Sequence, residues 1–172
     1  MKKIVLTGPE STGKSNLAKA LSKHFKSPIV DEFAVEYLDM THGRYDYKDL
    51  VKIAKGQIKK EDEVTENNNS NLIIIDTDLI TIKIWSKVKY KKVNRWIMEA
   101  IRARNYDLYL LCKPDIPWEF SEYRENPNDR DRLFTFYEKE LRRYKKNYIT
   151  IEGLKQTRIE NAIKAIDNLR GK

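Results

Sequence analysis

Ile4-Val5-Leu6-Thr7-Gly8-Pro9-Glu10-Ser11-Thr12-Gly13-Lys14-Ser15-Asn16-Leu17 is the stretch on which the fold turns. Its opening is a short apolar run bounded by Gly8 and Pro9, the pattern of a strand buried on both faces of a parallel sheet. Gly8 to Ser15 then spells Gly-x-x-x-x-Gly-Lys-Ser, and Leu17, Ala18, Ala20, Leu21 and Phe25 recur at helical spacing until Pro28. Strand, glycine loop and helix in this order are the context in which the P-loop spacing cradles phosphate. Gly8 and Gly13 allow backbone angles and a close approach that a side chain would block. The N–H groups from Glu10 through Ser11, Thr12, Gly13, Lys14, Ser15 and Asn16 can therefore converge on phosphate oxygens. Lys14 reaches the β and γ phosphates and the Ser15 hydroxyl can ligate Mg2+, so the stretch predicts a site for a nucleoside triphosphate, with ATP and Mg2+ as cofactors.

Working outward, Pro28-Ile29-Val30, Leu72 to Ile75, Tyr106 to Cys112 and Tyr148 to Ile151 read as further strands. Helical patterns lie between them: Glu32 to about Lys60 with a break at Thr41-His42-Gly43, Ile82 to Val88, Trp96 to Ile101, Leu133 to Leu141 and Ile159 to Leu169. Strands alternating with helices predict an α/β, three-layer P-loop NTPase fold, a five-stranded parallel sheet flanked by helices, over one domain spanning 1–172. From Lys113 to about Asn128 there are three prolines and many charges without an apolar period, a surface connection suited to a small lid.

Three groups of side chains join the phosphate loop as candidates. Asp76 closes the most apolar strand and can hold Mg2+ through water, while Asp78 can instead cap the following helix. Asp31 and Glu32 follow the second strand, where ligands bind in open parallel sheets. An acceptor hydroxyl needs such a carboxylate to take its proton, with Glu32 the first choice and Asp31 the reserve; the alternative is two acids complementing a helix dipole. Arg124, Arg130 and Arg132 lie in or next to the polar connection, where a closing lid would bring guanidinium groups to a transferring phosphoryl; ordinary surface arginines are the alternative.

The net charge of +8 favours anionic partners without choosing among them. Both signs are interspersed and no basic block joins an aromatic platform, which argues against nucleic acid. Arg142, Arg143, Lys145 and Lys146 read as a solvated helix end. The single cysteine, Cys112, rules out an intramolecular disulfide and a thiolate zinc cluster, and in Tyr109-Leu110-Leu111-Cys112 it reads as a buried, inert thiol. Without an apolar leader or a span long enough for a bilayer, the expectation is a cytoplasmic protein with no membrane partner. Cys112-Lys113-Pro114-Asp115 lacks the asparagine of a guanine-reading motif, which disfavours GTP. The helix faces define neither a partner surface nor an oligomeric state.

With these pieces placed, the chain resembles the ribosylnicotinamide kinase domain of the NadR-type NAD-salvage proteins. The resemblance is carried by Gly8 to Ser15, Glu32-Phe33-Ala34-Val35-Glu36-Tyr37, Gly56-Gln57, Asp76-Thr77-Asp78 with Thr81, Pro114-Asp115-Ile116-Pro117-Trp118 leading to Arg124 and Arg130, and Gly153 with Arg158. It implies transfer of the ATP γ phosphate to the 5'-hydroxyl of nicotinamide riboside. It further implies that Glu32, Tyr37, Asp78 and Trp85 or Trp118 face a nucleoside-like small molecule, and that Arg158 lies near adenine. An aromatic ring beside a cationic pyridinium is physically apt, and core packing with Ile82, Ile84 and Val88 explains Trp85 equally well. Val35 stands where the family often has arginine, and Ser121-Glu122 where an acidic pattern often precedes the lid arginine. The family's frequent adenylyltransferase partner domain, with its His-x-Gly-His pattern, is not matched by His24 and His42, so a lone kinase, or one working with a separate adenylyltransferase, is implied. The competing expectations are another nucleoside or metabolite kinase, and an ATP-dependent regulatory or nucleic-acid-associated switch.

Overall fold

The structure, a computed structural model, describes residues 1–171. The first apolar run forms β1 (Lys2–Thr7) at the centre of a sheet, between β3 (Leu72–Asp76) and β4 (Leu108–Cys112). The short β2 (Ile29–Val30) and β5 (Tyr148–Ile151) are its edges, in the order β2-β3-β1-β4-β5, and every pairing is parallel. Successive side chains of a strand point to opposite faces, and the core divides accordingly. Ile4, Leu6, Ile74 and Leu110 meet Leu17 and Leu21 of α1 (Lys14–Phe25) and Ala162 and Ile166 of α7 (Lys155–Arg170). Val5, Ile73, Ile75 and Leu111 meet the other face, built from α2 (Phe33–Met40), α3 (Asp49–Glu66), α4 (Leu79–Tyr90), α5 (Arg95–Ala103) and α6 (Arg130–Arg143). Burying each such aliphatic side chain contributes about 2 kcal/mol. The expected three-layer α/β architecture with five parallel strands is therefore the observed one.

Boundaries differ where polar contacts intervene. β4 starts at Leu108 rather than Tyr106. The Asp107 carboxylate ahead of it accepts the Lys3 backbone N–H at 2.8 Å and the Lys2 ammonium at 2.9 Å, while the Tyr106 hydroxyl turns to Glu61 at 2.7 Å. β2 starts after Pro28, which has no N–H to give a ladder but accepts from Ile74 N at 3.1 Å. α3 runs to Glu66, beyond the expected end near Lys60. Cys112 is fully buried, and burial pushes its thiol up to about 11, as befits an inert group. Arg142 and Arg143 do end a helix, where Arg142 pairs with Glu138 at 2.9 Å. Among the described residues no helix is long and apolar enough to cross a membrane. The carboxyl ends of the strands share one edge, and from it spring Gly8 to Gly13, Glu32, Thr77 and the 113–129 connection.

Candidate active site

Gly8 sits where the phosphate loop grazes the end of β4: its φ is +132° and a Cβ there would lie 2.7 Å from the Cys112 carbonyl oxygen. No other residue type fits without moving the sheet. Gly13, at φ +73°, then turns the chain into α1, whose first turn carries no acidic side chain, so its N-terminus stays positive. Lys14 bends back over the loop and donates to the carbonyls of Gly8 at 2.9 Å and Pro9 at 2.6 Å. Thr12 Oγ1 donates to Pro9 O at 2.8 Å and stiffens the bend. An ammonium and a helix N-terminus thus converge on one small concavity.

Opposite stand two carboxylates. Asp76 is buried and its Oδ1 has no hydrogen-bond partner among the described residues. Burial raises its carboxyl, opposed by the Ser15 hydroxyl and the Lys14 ammonium. An orphaned carboxylate oxygen is costly to bury. With the Ser15 hydroxyl beside it, it makes a set of hard oxygen donors that fits Mg2+. Glu32 occupies the N-cap position of α2 but makes no side-chain cap bond; its carboxylate instead lines the cleft. Burial above all, then the nearby Asp76 charge, raises it to about 7 against the opposing pull of Lys14. The turn that aims it is fixed by α3: Gln57 Oε1 accepts the Phe33 N–H at 2.7 Å, and Gly56 leaves room for the Phe33 ring, which a Cβ would meet at 2.1 Å.

The cleft measures about 650 Å³, within the range of small-molecule sites. Its floor is the loop from Glu10 to Asn16, and one wall is apolar, made by Ala34, Val35, Leu38, Trp85 and Val88. Trp85 spends its Nε1–H on the Tyr45 hydroxyl at 2.8 Å, with the two rings edge to face at 4.7 Å. The lid, residues 113–129, is the roof. Ser11 Oγ accepts from Glu119 N at 2.8 Å and from Arg124 Nη1 at 3.4 Å, and Arg130 Nη1 donates to Ser11 O at 3.0 Å and Ile116 O at 2.9 Å. Both arginines are thereby brought to the phosphate loop, whereas Arg132 is turned to Asp129 at 2.9 Å.

Several residues expected to contact a ligand do not line this cleft. Asp78 lies outside the cleft as a buried cap of α4, accepting from Ile80 N at 3.2 Å and the Tyr109 hydroxyl at 2.9 Å. Tyr37 gives its hydroxyl to Asp49 at 2.8 Å on the side of α2 facing α3. Arg158 is buried and ties the strand ends together, donating to the carbonyls of Gly153, Ile151 and Lys113 at 2.9 to 3.0 Å and pairing with Asp115. Trp118 lies off the cleft wall, with the Arg130 guanidinium 5.8 Å from its ring centre. Asp31 is exposed and does not line the cleft. Conversely, Thr81, Lys89, Glu125 and Asn126 line the cleft without having been singled out for it. A lysine on a helix and an acid in a polar loop carry no signal that separates them from a solvated surface.

A strand feeding a glycine loop and helix, on a five-stranded parallel sheet with a lid, makes this a P-loop protein of kinase-like fold. The chain belongs to the AAA domain family, whose model matches residues 3–158. No curated protein matches the sequence. Among solved structures, NadR protein in complex with NR is similar at TM-score 0.86 and 21% identity, covering 99% of this chain and 50% of that one. This chain thus spans half the length of that relative. Deoxyadenosine kinase from M. mycoides with products dCMP and dCDP is similar at TM-score 0.66 and 17% identity, covering 96% of this chain and 99% of that one. Thymidylate kinase from Ehrlichia chaffeensis follows at TM-score 0.68 and 9% identity, covering 96% and 98%.

Proposed function

We propose that this protein is a small-molecule kinase, transferring the γ phosphate of ATP to the 5'-hydroxyl of nicotinamide riboside to give nicotinamide mononucleotide. The observation that carries this reading is Glu32: an uncapped, cleft-lining carboxylate raised to about 7, between the phosphate loop and an apolar wall. A base so poised takes the hydroxyl proton as the oxygen attacks phosphorus, while the bond from phosphorus to the bridging oxygen of ADP breaks. The N–H groups from Ser11 to Ser15 and the Lys14 ammonium hold the triphosphate, exchanging the carbonyl contacts of the lysine for phosphate oxygens. Ser15 and Asp76 would hold Mg2+, which supplies charge neutralisation at the β and γ phosphates. Arg124 from the lid and Arg130 from the start of α6 add positive charge as negative charge spreads over the transferring group. Trp85, its N–H already engaged, offers the acceptor's ring a π surface rather than a donor.

The NadR likeness supports the riboside; the two other kinases keep another nucleoside or a nucleotide in view as acceptor. The test is incubation with Mg-ATP and a mixture of ribosides, followed by mass spectrometry. Nicotinamide riboside is expected to gain one phosphoryl group. Phosphorylation of a different riboside alone would overturn the acceptor, and ATP hydrolysis with no riboside modified would overturn the kinase.

A further inference from the structure

The lid is fastened to the phosphate loop by a side chain that phosphate binding does not call for. Glu10 belongs to the loop, yet a carboxylate repels a polyphosphate. Its two oxygens instead accept consecutive backbone N–H groups of the lid, Glu125 N at 3.1 Å and Asn126 N, across more than 110 residues of sequence. The Glu125 side chain reaches the other way. Its Oε1 accepts from Lys89 Nζ at 2.8 Å and from the Tyr45 hydroxyl at 3.0 Å, the hydroxyl that takes the Trp85 N–H. Residue 125 is thus held by its backbone to the phosphate loop and by its side chain to the wall of the acceptor compartment.

We infer that Glu10 and Glu125 are positioning residues forming a two-sided clamp that sets the neighbouring Arg124 over Ser11 and links the nucleotide and acceptor halves of the cleft. Hydrogen bonds to an ionised carboxylate are about twice as strong as neutral ones, and two on adjacent amides fix the direction of the peptide as well as its distance. Lys89 stacks over the Tyr45 ring at 4.1 Å, which holds the second jaw in place. A lid so fastened presents its arginine without a separate ordering step, in line with the preorganisation that electrostatic catalysis requires. The effect on turnover rests on the kinase reading above; the clamp itself does not.

Hydrogen exchange at the Glu125 and Asn126 amides, measured without substrates, tests the clamp directly. Glu10→Ala is expected to speed exchange there by roughly ten- to a hundredfold, the loss expected for charge-assisted bonds. Exchange in α1 and the thermal midpoint should stay unchanged, and Glu10→Gln, with one acceptor oxygen left, should fall between. Trypsin should cut after Arg124 faster in Glu10→Ala and Glu125→Ala, and not in Glu122→Gln, which removes an exposed charge from the same lid. In the kinase assay the two alanine variants should each lower kcat about tenfold with the nucleotide KM within about threefold, and should not add in combination. Unchanged exchange at 125–126 in Glu10→Ala would overturn the clamp, as would faster exchange spreading into α1. If exchange rises there while no variant phosphorylates any riboside, the clamp stands and the proposed function fails.

Discussion

Glu32 and Asp78 occupy equivalent places: each follows a strand end, each is the N-cap residue of the next helix, and burial raises each to about 7. Their surroundings differ. Asp78 accepts from its own helix and from Tyr109, both oxygens are engaged, and it does not line the cleft. Glu32 leaves its helix uncapped, its turn is fixed by Gln57 and Gly56, and its carboxylate lines the cavity that holds Lys14. A raised carboxyl therefore does not by itself mark chemistry. An acid with satisfied oxygens is structure, and one held in position without partners is available for reaction.

The largest expected effect separates the two. Glu32→Gln should lower phosphoryl transfer by about 10²- to 10⁴-fold, the range of a lost general base, whereas Asp78→Asn, which keeps the Ile80 N–H contact through its amide oxygen and meets the Tyr109 hydroxyl with its NH2 as donor, should leave kcat within about fivefold. Steady-state rates on both variants check this, and an equal collapse would erase the distinction. Next comes the support of Glu32. Gly56→Val forces the Phe33 ring from its place and should destabilise the fold by about 1–3 kcal/mol in denaturant titration while lowering kcat, because the turn that aims Glu32 shifts with it. The smallest effect is on pH dependence. Both folded carboxyls hold protons that the unfolded chain releases near 4, so stability is greatest below the unfolded values and is lost as pH rises toward about 7. Between pH 5 and 8 the thermal midpoint should fall, and the Glu32→Gln, Asp78→Asn double variant should flatten that slope.

Periodicity made the fold readable. Apolar runs such as Leu72 to Ile75, bounded by polar stretches, read as strands buried on both faces, and the glycine loop marked the strand that feeds the phosphate site. The phosphate loop, and Glu32 as an acid at a strand's carboxyl end, were legible for the same reason, since topology alone places them on one edge. The orientations of Asp78, Tyr37 and Arg158 were not, because a resemblance carries residue types whereas a partner such as Tyr109 or Asp49 decides where a side chain points. Trp85 shows the limit from the other side: its helical neighbours Ile82 and Ile84 are core, yet its own ring reaches the cleft. The contacts of Glu10 with residues 125 and 126 depend on how a loop without periodicity folds back, and no local pattern encodes that.

On this mechanism the phosphate loop binds nucleotide independently of the group that accepts the proton. Calorimetric titration with a non-hydrolysable ATP analogue and Mg2+ tests this on the wild type, Lys14→Ala and Glu32→Gln. Wild type and Glu32→Gln should bind alike, and Lys14→Ala should lose at least about tenfold in affinity, the cost of one charge-assisted contact. Undiminished binding by Lys14→Ala, or an equal loss in both variants, would contradict it.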